Sequence, residues 1–250
     1  CGIRLGRAFC WGRGSLGTAV SPADLNTPQE VLGVGGAASY TDWTLIYVNW
    51  DTACGLRSNG RLYCWGSNTN GELGSVGGDS TYPREVGGGF TDWSFRSKEG
   101  QCAIRTTGAA YCWGGNDYGQ GGKGVAGNSI IPTLVSGGFT DWKQLLGGGT
   151  RTYACGLRGT GIAYCWGKND QARLGTGSAG GADVYAPQAV NTLITDFKYL
   201  SGEADHVCAV RTNGDIYCWG YNGNGQFGNG VTSFSVAPPT QTPSITVKVN

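Results

Sequence analysis

Ten cysteines occur as five pairs, and each pair brackets the same short hairpin. The pairs are Cys1 and Cys10, Cys54 and Cys64, Cys102 and Cys112, Cys155 and Cys165, and Cys208 and Cys218, each second cysteine being followed by Trp-Gly. Successive first cysteines lie 53, 48, 53 and 53 residues apart. A period near fifty residues points to a solenoid, an array or a propeller rather than one unrepeated fold.

The hairpin register follows from the turns. Ser58-Asn59-Gly60 places glycine where a left-handed conformation is needed, and folding back about it sets Leu56 against Leu62, Gly55 against Tyr63 and Cys54 against Cys64. Thr106-Thr107-Gly108, Gly159-Thr160-Gly161 and Thr212-Asn213-Gly214 give the same register. The first copy is one residue shorter, with Leu5-Gly6 as a two-residue turn, yet Cys1 still lands opposite Cys10. Directly opposed residues at a non-hydrogen-bonded site have Cα atoms about 4.5 Å apart, which a disulfide can span.

Two other readings of the cysteines are reduced core thiols and metal ligands. Metal sites use closely spaced cysteines or histidines, whereas this chain has no Cys-x-x-Cys and His206 is its single histidine. One disulfide within each hairpin is therefore expected, each contributing a little under ~3 kcal/mol in the chain-entropy model. Five bridges with no cysteine left over place the protein in an oxidising compartment: extracellular, cell-surface, periplasmic or virion-surface.

Composition narrows the class further. Glycine supplies 47 of 250 residues without a collagen-like triplet, and only 14% of residues are charged. A net charge of +1 argues against nucleic acid as a partner, and no apolar run approaches a membrane span.

Each repeat reads in three parts. A Pro-x-x-Val element (Pro28 and Val31, Pro83 and Val86, Pro132 and Val135, Pro187 and Val190) precedes an aromatic strand. That strand carries Thr41-Asp42-Trp43, Thr91-Asp92-Trp93, Thr140-Asp141-Trp142 or Thr195-Asp196-Phe197. The cysteine hairpin follows, then a polar loop with Asn68, Asn116, Asn169 or Asn222. Short aromatic and β-branched strands, Gly-rich turns and no helical period predict an all-β fold. Across each hairpin a ring (Phe9, Tyr63, Tyr111, Tyr164, Tyr217) faces a small residue (Gly2, Gly55, Ala103, Gly156, Ala209), so both faces suit a blade packed between two others. The expectation is a single β-propeller domain over residues 1–250, of about five blades, with repeats centred on residues 1–12, 54–66, 102–114, 155–167 and 208–220. The first hairpin lacks a preceding aromatic strand. Residues 245–249 are strand-like and are expected to complete that blade and close the ring; the alternative is a segment of a larger propeller.

The pattern Cys-Gly-Leu-Arg-x-x-Gly-x-x-Tyr-Cys-Trp-Gly-x-Asn-x-x-Gly-x-Leu-Gly, seen from Cys54 to Gly74, resembles the repeat of the regulator of chromosome condensation family. The resemblance covers nearly the whole chain and implies a β-propeller, usually of seven blades. The paired cysteines are also similar to those of plant crinkly-type receptor ectodomains and of secreted bacterial members. Only the fold is carried over: this chain shows five copies, and its cysteine pairs replace the apolar pairs of the intracellular family.

Few residues suggest chemistry. His206 lies beside Asp205, but adjacent strand residues point to opposite faces, which suits a catalytic triad poorly. The glycine-rich stretch from Gly119 to Gly124 could cradle a phosphate, but no helix follows it. Arginine recurs at one hairpin position (Arg4, Arg57, Arg105, Arg158, Arg211) and reads either as a partner of the Thr-Asp-Trp aspartates or as an anion-binding ring. No catalytic, metal or cofactor residues are expected. The expected function is non-enzymatic recognition of a protein partner, or assembly with copies of itself, through propeller faces. A lectin with one carbohydrate pocket per blade is the alternative, with glycan as its partner. Trp50 and Arg151, in segments that vary between repeats, are the candidate binding residues.

Overall fold

Each cysteine hairpin forms two neighbouring strands of an antiparallel sheet, and the segments on either side supply the rest. The computed structural model describes residues 1–14, 16–18, 24–49, 51–94, 97, 101–147, 152–177, 180–203 and 205–242. The first sheet holds β1 (Gly2–Arg4), β2 (Arg7–Gly12) and β3 (Leu25–Glu30). The second holds β4 (Trp43–Asn49), β5 (Thr52–Arg57), β6 (Leu62–Gly66) and β7 (Ser80–Glu85). The third is β8 (Trp93–Ser94), β9 (Cys102–Arg105), β10 (Ala110–Gly114) and β11 (Ser129–Leu134). The fourth is β12 (Trp142–Gly147), β13 (Tyr153–Arg158), β14 (Ala163–Gly167) and β15 (Val184–Ala189). The fifth is β16 (Phe197–Glu203), β17 (His206–Arg211), β18 (Ile216–Asn222) and β19 (Ser233–Gln241). Within each sheet the strands run in chain order, the meander of a propeller blade.

The register matches the turn argument. Cys54 pairs with Cys64, Gly55 with Tyr63 and Leu56 with Leu62, while the shorter first hairpin pairs Gly2 with Phe9. All five pairs are disulfides within their own hairpins, with Cα atoms 4.0–4.1 Å apart, and no cysteine is free.

The Pro-x-x-Val element forms the outer strand. Pro28, Pro83, Pro132 and Pro187 sit on sheet edges, where a missing N–H costs no ladder bond. The valine N–H then donates back to the hairpin, Val86 to the Leu62 carbonyl at 2.9 Å and Val190 to Ala163 at 3.0 Å. In the fifth blade Thr242 takes this place, donating to the Ile216 carbonyl at 2.9 Å, a substitution that hid the element from sequence inspection.

The core lies between sheets. The hairpin turns of the first four blades are each latched by the aromatic strand of the next: Trp43 N–H donates to the Gly6 carbonyl, Trp93 to Gly60, Trp142 to Gly108 and Phe197 to Gly161, at 2.9–3.1 Å. Gly60 must be glycine twice over. Its φ is +75°, and a Cβ there would lie 2.1 Å from the Thr91 carbonyl oxygen. The tryptophans after the second cysteines fill the space between blades. Trp65, Trp113, Trp166 and Trp219 are at most 1% exposed.

The small residue opposite each ring has a larger role than expected. A Cβ on Gly55 would stand 2.5 Å from the Trp43 ring, and one on Gly156 2.4 Å from Trp142. The missing side chain makes room for the tryptophan of the Thr-Asp-Trp strand, which meets Tyr63 or Tyr164 edge-on. The first sheet has no such strand among the described residues. Residues 245–249, expected to supply it, lie outside them.

Candidate functional site

The recurring arginines resolve into four structural pairs. Arg57, Arg105, Arg158 and Arg211 each donate from Nε to an Oδ1 of Asp42, Asp92, Asp141 or Asp196 at 2.7 Å. Ser58, Thr106 and Thr212 add a hydroxyl donor to the second carboxylate oxygen of Asp42, Asp92 and Asp196. The guanidiniums of Arg57, Arg105 and Arg158 also lie 3.8–4.2 Å from the ring centres of Tyr40, Phe90 and Phe139. The bond from arginine holds the carboxyls of Asp42, Asp92 and Asp196 below the ordinary aspartate range. Arg4 is the exception: it has no carboxylate partner among the described residues.

The recurring asparagines organise loops. Asn68 donates to the carbonyls of Ser75 and Gly77 and accepts from Leu73 N–H at 2.9 Å. Asn116 grips Val125 and Gly127 and accepts from Gly121, and Asn222 grips Val231 and accepts from Phe227. Each of these three loops holds one valine in solvent: Val76, Val125 and Val231 are 69%, 62% and 60% exposed. The same bonds dispose of the phosphate cradle. Gly121 N–H is taken by Asn116, Gly122 by the Gly119 carbonyl and Gly124 by the Tyr185 carbonyl.

His206 starts β17 opposite Glu203, half-buried beside a cavity of about 230 Å³ that Leu146, Tyr199 and Leu200 also line. Burial lowers its pKa against the opposing pull of Glu203 and Asp205. The carboxylate of Asp205 is engaged elsewhere, 2.9 Å from Nη2 of the buried Arg173. Arg173 also reaches Asp170 at 2.7 Å and the Thr152 hydroxyl at 2.9 Å. This cluster ties the fourth blade to the fifth, and Asp205 is not an orienting partner for the imidazole. No group of three His, Cys, Asp or Glu side chains suited to a metal ion occurs among the described residues. None of their helices is long and apolar enough to cross a membrane. Trp50 and Arg151 lie outside the described residues.

The regulator of chromosome condensation (RCC1) repeat family matches residues 43–72, 102–120, 201–226 and 160–210. Those segments include the latch residues Trp43 and Phe197, the hairpins of Cys54 and Cys64, Cys102 and Cys112, and Cys208 and Cys218, and the loop asparagines Asn68, Asn116, Asn169 and Asn222. The chain belongs to the RCC1-type β-propeller superfamily. Its relatives include the human E3 ubiquitin-protein ligase HERC2, 33% identical over 209 residues, which are 75% of this chain and 4% of that protein. The ultraviolet-B receptor UVR8 of Arabidopsis thaliana is 36% identical over 76 residues, covering 30% of this chain and 17% of the receptor. The chain therefore spans a small part of the curated relatives it matches. Among solved structures, yeast RCC1 (Prp20) bound to Kap60 superposes with a TM-score of 0.79 at 20% identity, over 97% of this chain and 58% of that one. Human WBSCR16 superposes with a TM-score of 0.74 at 19% identity, over 92% and 60%. At these identities the likeness establishes the fold, and this RCC1-type propeller has about five blades arranged as in a longer one.

Proposed function

We propose that this RCC1-type propeller is a single-domain, non-enzymatic recognition module of an oxidising compartment, extracellular or on a cell or virion surface, that binds protein partners through its loop face. The observation that carries this reading is the exposure of Val76, Val125 and Val231, one valine at the tip of each of three loops gripped by asparagine. Apolar side chains held in solvent on a rigid scaffold favour contact with another protein surface. Solved neighbours of the same fold are described bound to Kap60 and as binding Gsp1p and histones, which supports protein recognition as the mode without transferring those partners.

Trp50 and Arg151, in the variable segments before their hairpins, belong to this proposal as further contact residues. A lectin draws less support. Trp43, Trp65, Trp93, Trp113, Trp142, Trp166 and Trp219 are buried, leaving Trp11 as the exposed tryptophan among the described residues.

The test is photo-crosslinking from positions 76, 125 and 231 in material from the secretory or surface compartment. Site-specific protein adducts, lost when the other two valines are changed to aspartate, are the expected result. Adducts indifferent to those changes, or strong binding on a glycan array instead, would overturn it. Alanine at Trp50 and Arg151 should weaken association by about 1 kcal/mol or more each if they anchor the contact.

A further inference from the structure

Residues 232–246 stand apart in composition. They hold seven serines and threonines and three prolines, with no charged side chain. Segments rich in hydroxyls and proline are typical acceptors of O-linked sugar, because proline keeps the backbone open while the hydroxyls are many. The outer strands of the first four blades carry single prolines, Pro28, Pro83, Pro132 and Pro187. In the fifth blade β19 carries Pro238 and Pro239 in succession, and Thr240 and Thr242 follow them.

The structure separates these two threonines. β19 is the outer edge of its sheet, and Thr240 pairs there with Cys218. Its side chain is exposed, and its hydroxyl reaches the Pro238 carbonyl at 3.5 Å, the long limit of a hydrogen bond. Thr242 is 6% exposed. Its N–H and its hydroxyl both face the Ile216 carbonyl, at 2.9 Å and 3.4 Å. The exposure of Thr240 comes from its register. Gln29 and Gln188 hold the same position opposite Cys10 and Cys165, in blades covered by a following blade, and they are exposed as well.

We propose that the Thr240 hydroxyl is an acceptor for an O-linked sugar, transferred from an activated glycosyl phosphate during export. This rests on the oxidising-compartment reading above. Thr240 Oγ forms the bond to the anomeric carbon of the sugar. The bond from that carbon to the donor phosphate oxygen breaks, the phosphate leaves with the electron pair, and the hydroxyl proton passes to a base of the transferase. Two successive prolines fix φ near about −65° and present no N–H, so the acceptor stands extended at a sheet edge before any enzyme binds. That preorganisation lowers the ordering cost of entering a transferase groove. Ser233 pairs with Asn222 at the other end of β19, so a sugar on Thr240 leaves the loop of Val231 uncovered.

The test is intact mass and electron-transfer fragmentation of the full chain, recovered from the surface or medium of the cells that make it. A hexose or N-acetylhexosamine increment on Thr240 is expected, with Thr242 and the half-buried Thr133 unmodified. Thr240→Val should lose the increment and keep all five disulfides. Bare Thr240 in chains whose disulfides are closed overturns the site alone. Free thiols in the same material overturn the compartment reading and this proposal with it. Sugar spread equally over Thr240, Thr242 and Thr133 also overturns it, because exposure would then not select the acceptor.

Discussion

The indole N–H of Trp113 donates to the carbonyl of Glu72 at 2.9 Å, across the boundary between two blades. Trp166 makes the same bond to Gln120 at 3.0 Å and Trp219 to Arg173 at 3.1 Å. In each case the ring also rests on a glycine two residues beyond the acceptor: Gly74, Gly122 or Gly175. Trp113→Phe keeps most of the packing and orphans a buried carbonyl, so a loss of about 1–2 kcal/mol is expected. Trp113→Ala should cost about 3–5 kcal/mol. Trp11→Phe should be nearly silent, and urea denaturation of the three variants checks the contrast.

The arginine–aspartate latches predict acid sensitivity. Asp42, Asp92 and Asp196 have folded pKa values lowered by their bonds from Arg57, Arg105 and Arg211. A depressed carboxyl contributes stability that is fully present above the unfolded value of about 3.9 and disappears as pH falls through the folded value. The melting temperature should therefore drop below about pH 4, and the drop should be shallower in Asp42→Asn, whose stability at neutral pH is already reduced. Parallel melting curves for the two proteins between neutral and strongly acid pH would contradict this.

Each disulfide closes a hairpin of its own blade. Replacing Cys102 and Cys112 together by alanine should cost up to about 3 kcal/mol by the chain-entropy estimate. Hydrogen exchange should accelerate most in the third blade, because repeat arrays lose stability locally. Non-reducing peptide mapping should find five linkages, all within hairpins, and no reactive thiol.

Between the fourth and fifth blades the Gln144 side chain acts as a one-residue strand. Its Nε2 donates to the Leu200 carbonyl at 2.6 Å and its Oε1 accepts the Leu200 N–H at 2.9 Å. Gln144→Leu would leave a buried donor and a buried acceptor unpaired, with a cost of about 1–3 kcal/mol for each. Glu at this position keeps the acceptor but sets a buried carboxylate oxygen against the Leu200 carbonyl, so at neutral pH it should give no rescue. Amide exchange at Leu200 reads both outcomes directly.

Much of the local architecture was legible in the residues. The register of Cys54 with Cys64 follows from turn length and the two-residue period of a strand, which act over about ten residues. Five recurring arginines against four recurring aspartates already suggested Arg57 with Asp42, and the geometry chose pairing over an anion ring for four of the five. Pro-x-x-Val marked the outer strand wherever both residues were present. It failed in the fifth blade, where Thr242 makes the valine's main-chain bond without the valine's apolar signature.

What the sequence by itself determined was the unit: a disulfide hairpin, its flanking strands and its asparagine-held loop, all written in short-range spacing. How units meet was decided only by the tertiary structure. Trp113 finds Glu72 forty-one residues away and Trp166 finds Gln120 forty-six away, so no fixed offset announces the bond. Arg173 and Gln144 look like ordinary polar residues in the chain, yet they join blades because sheet packing buries them against Asp205 and Leu200. The physical reason is common to all of these. Strand pairing is set by backbone period and turn length, whereas face-to-face packing depends on which side chains two separate sheets bring into the same space.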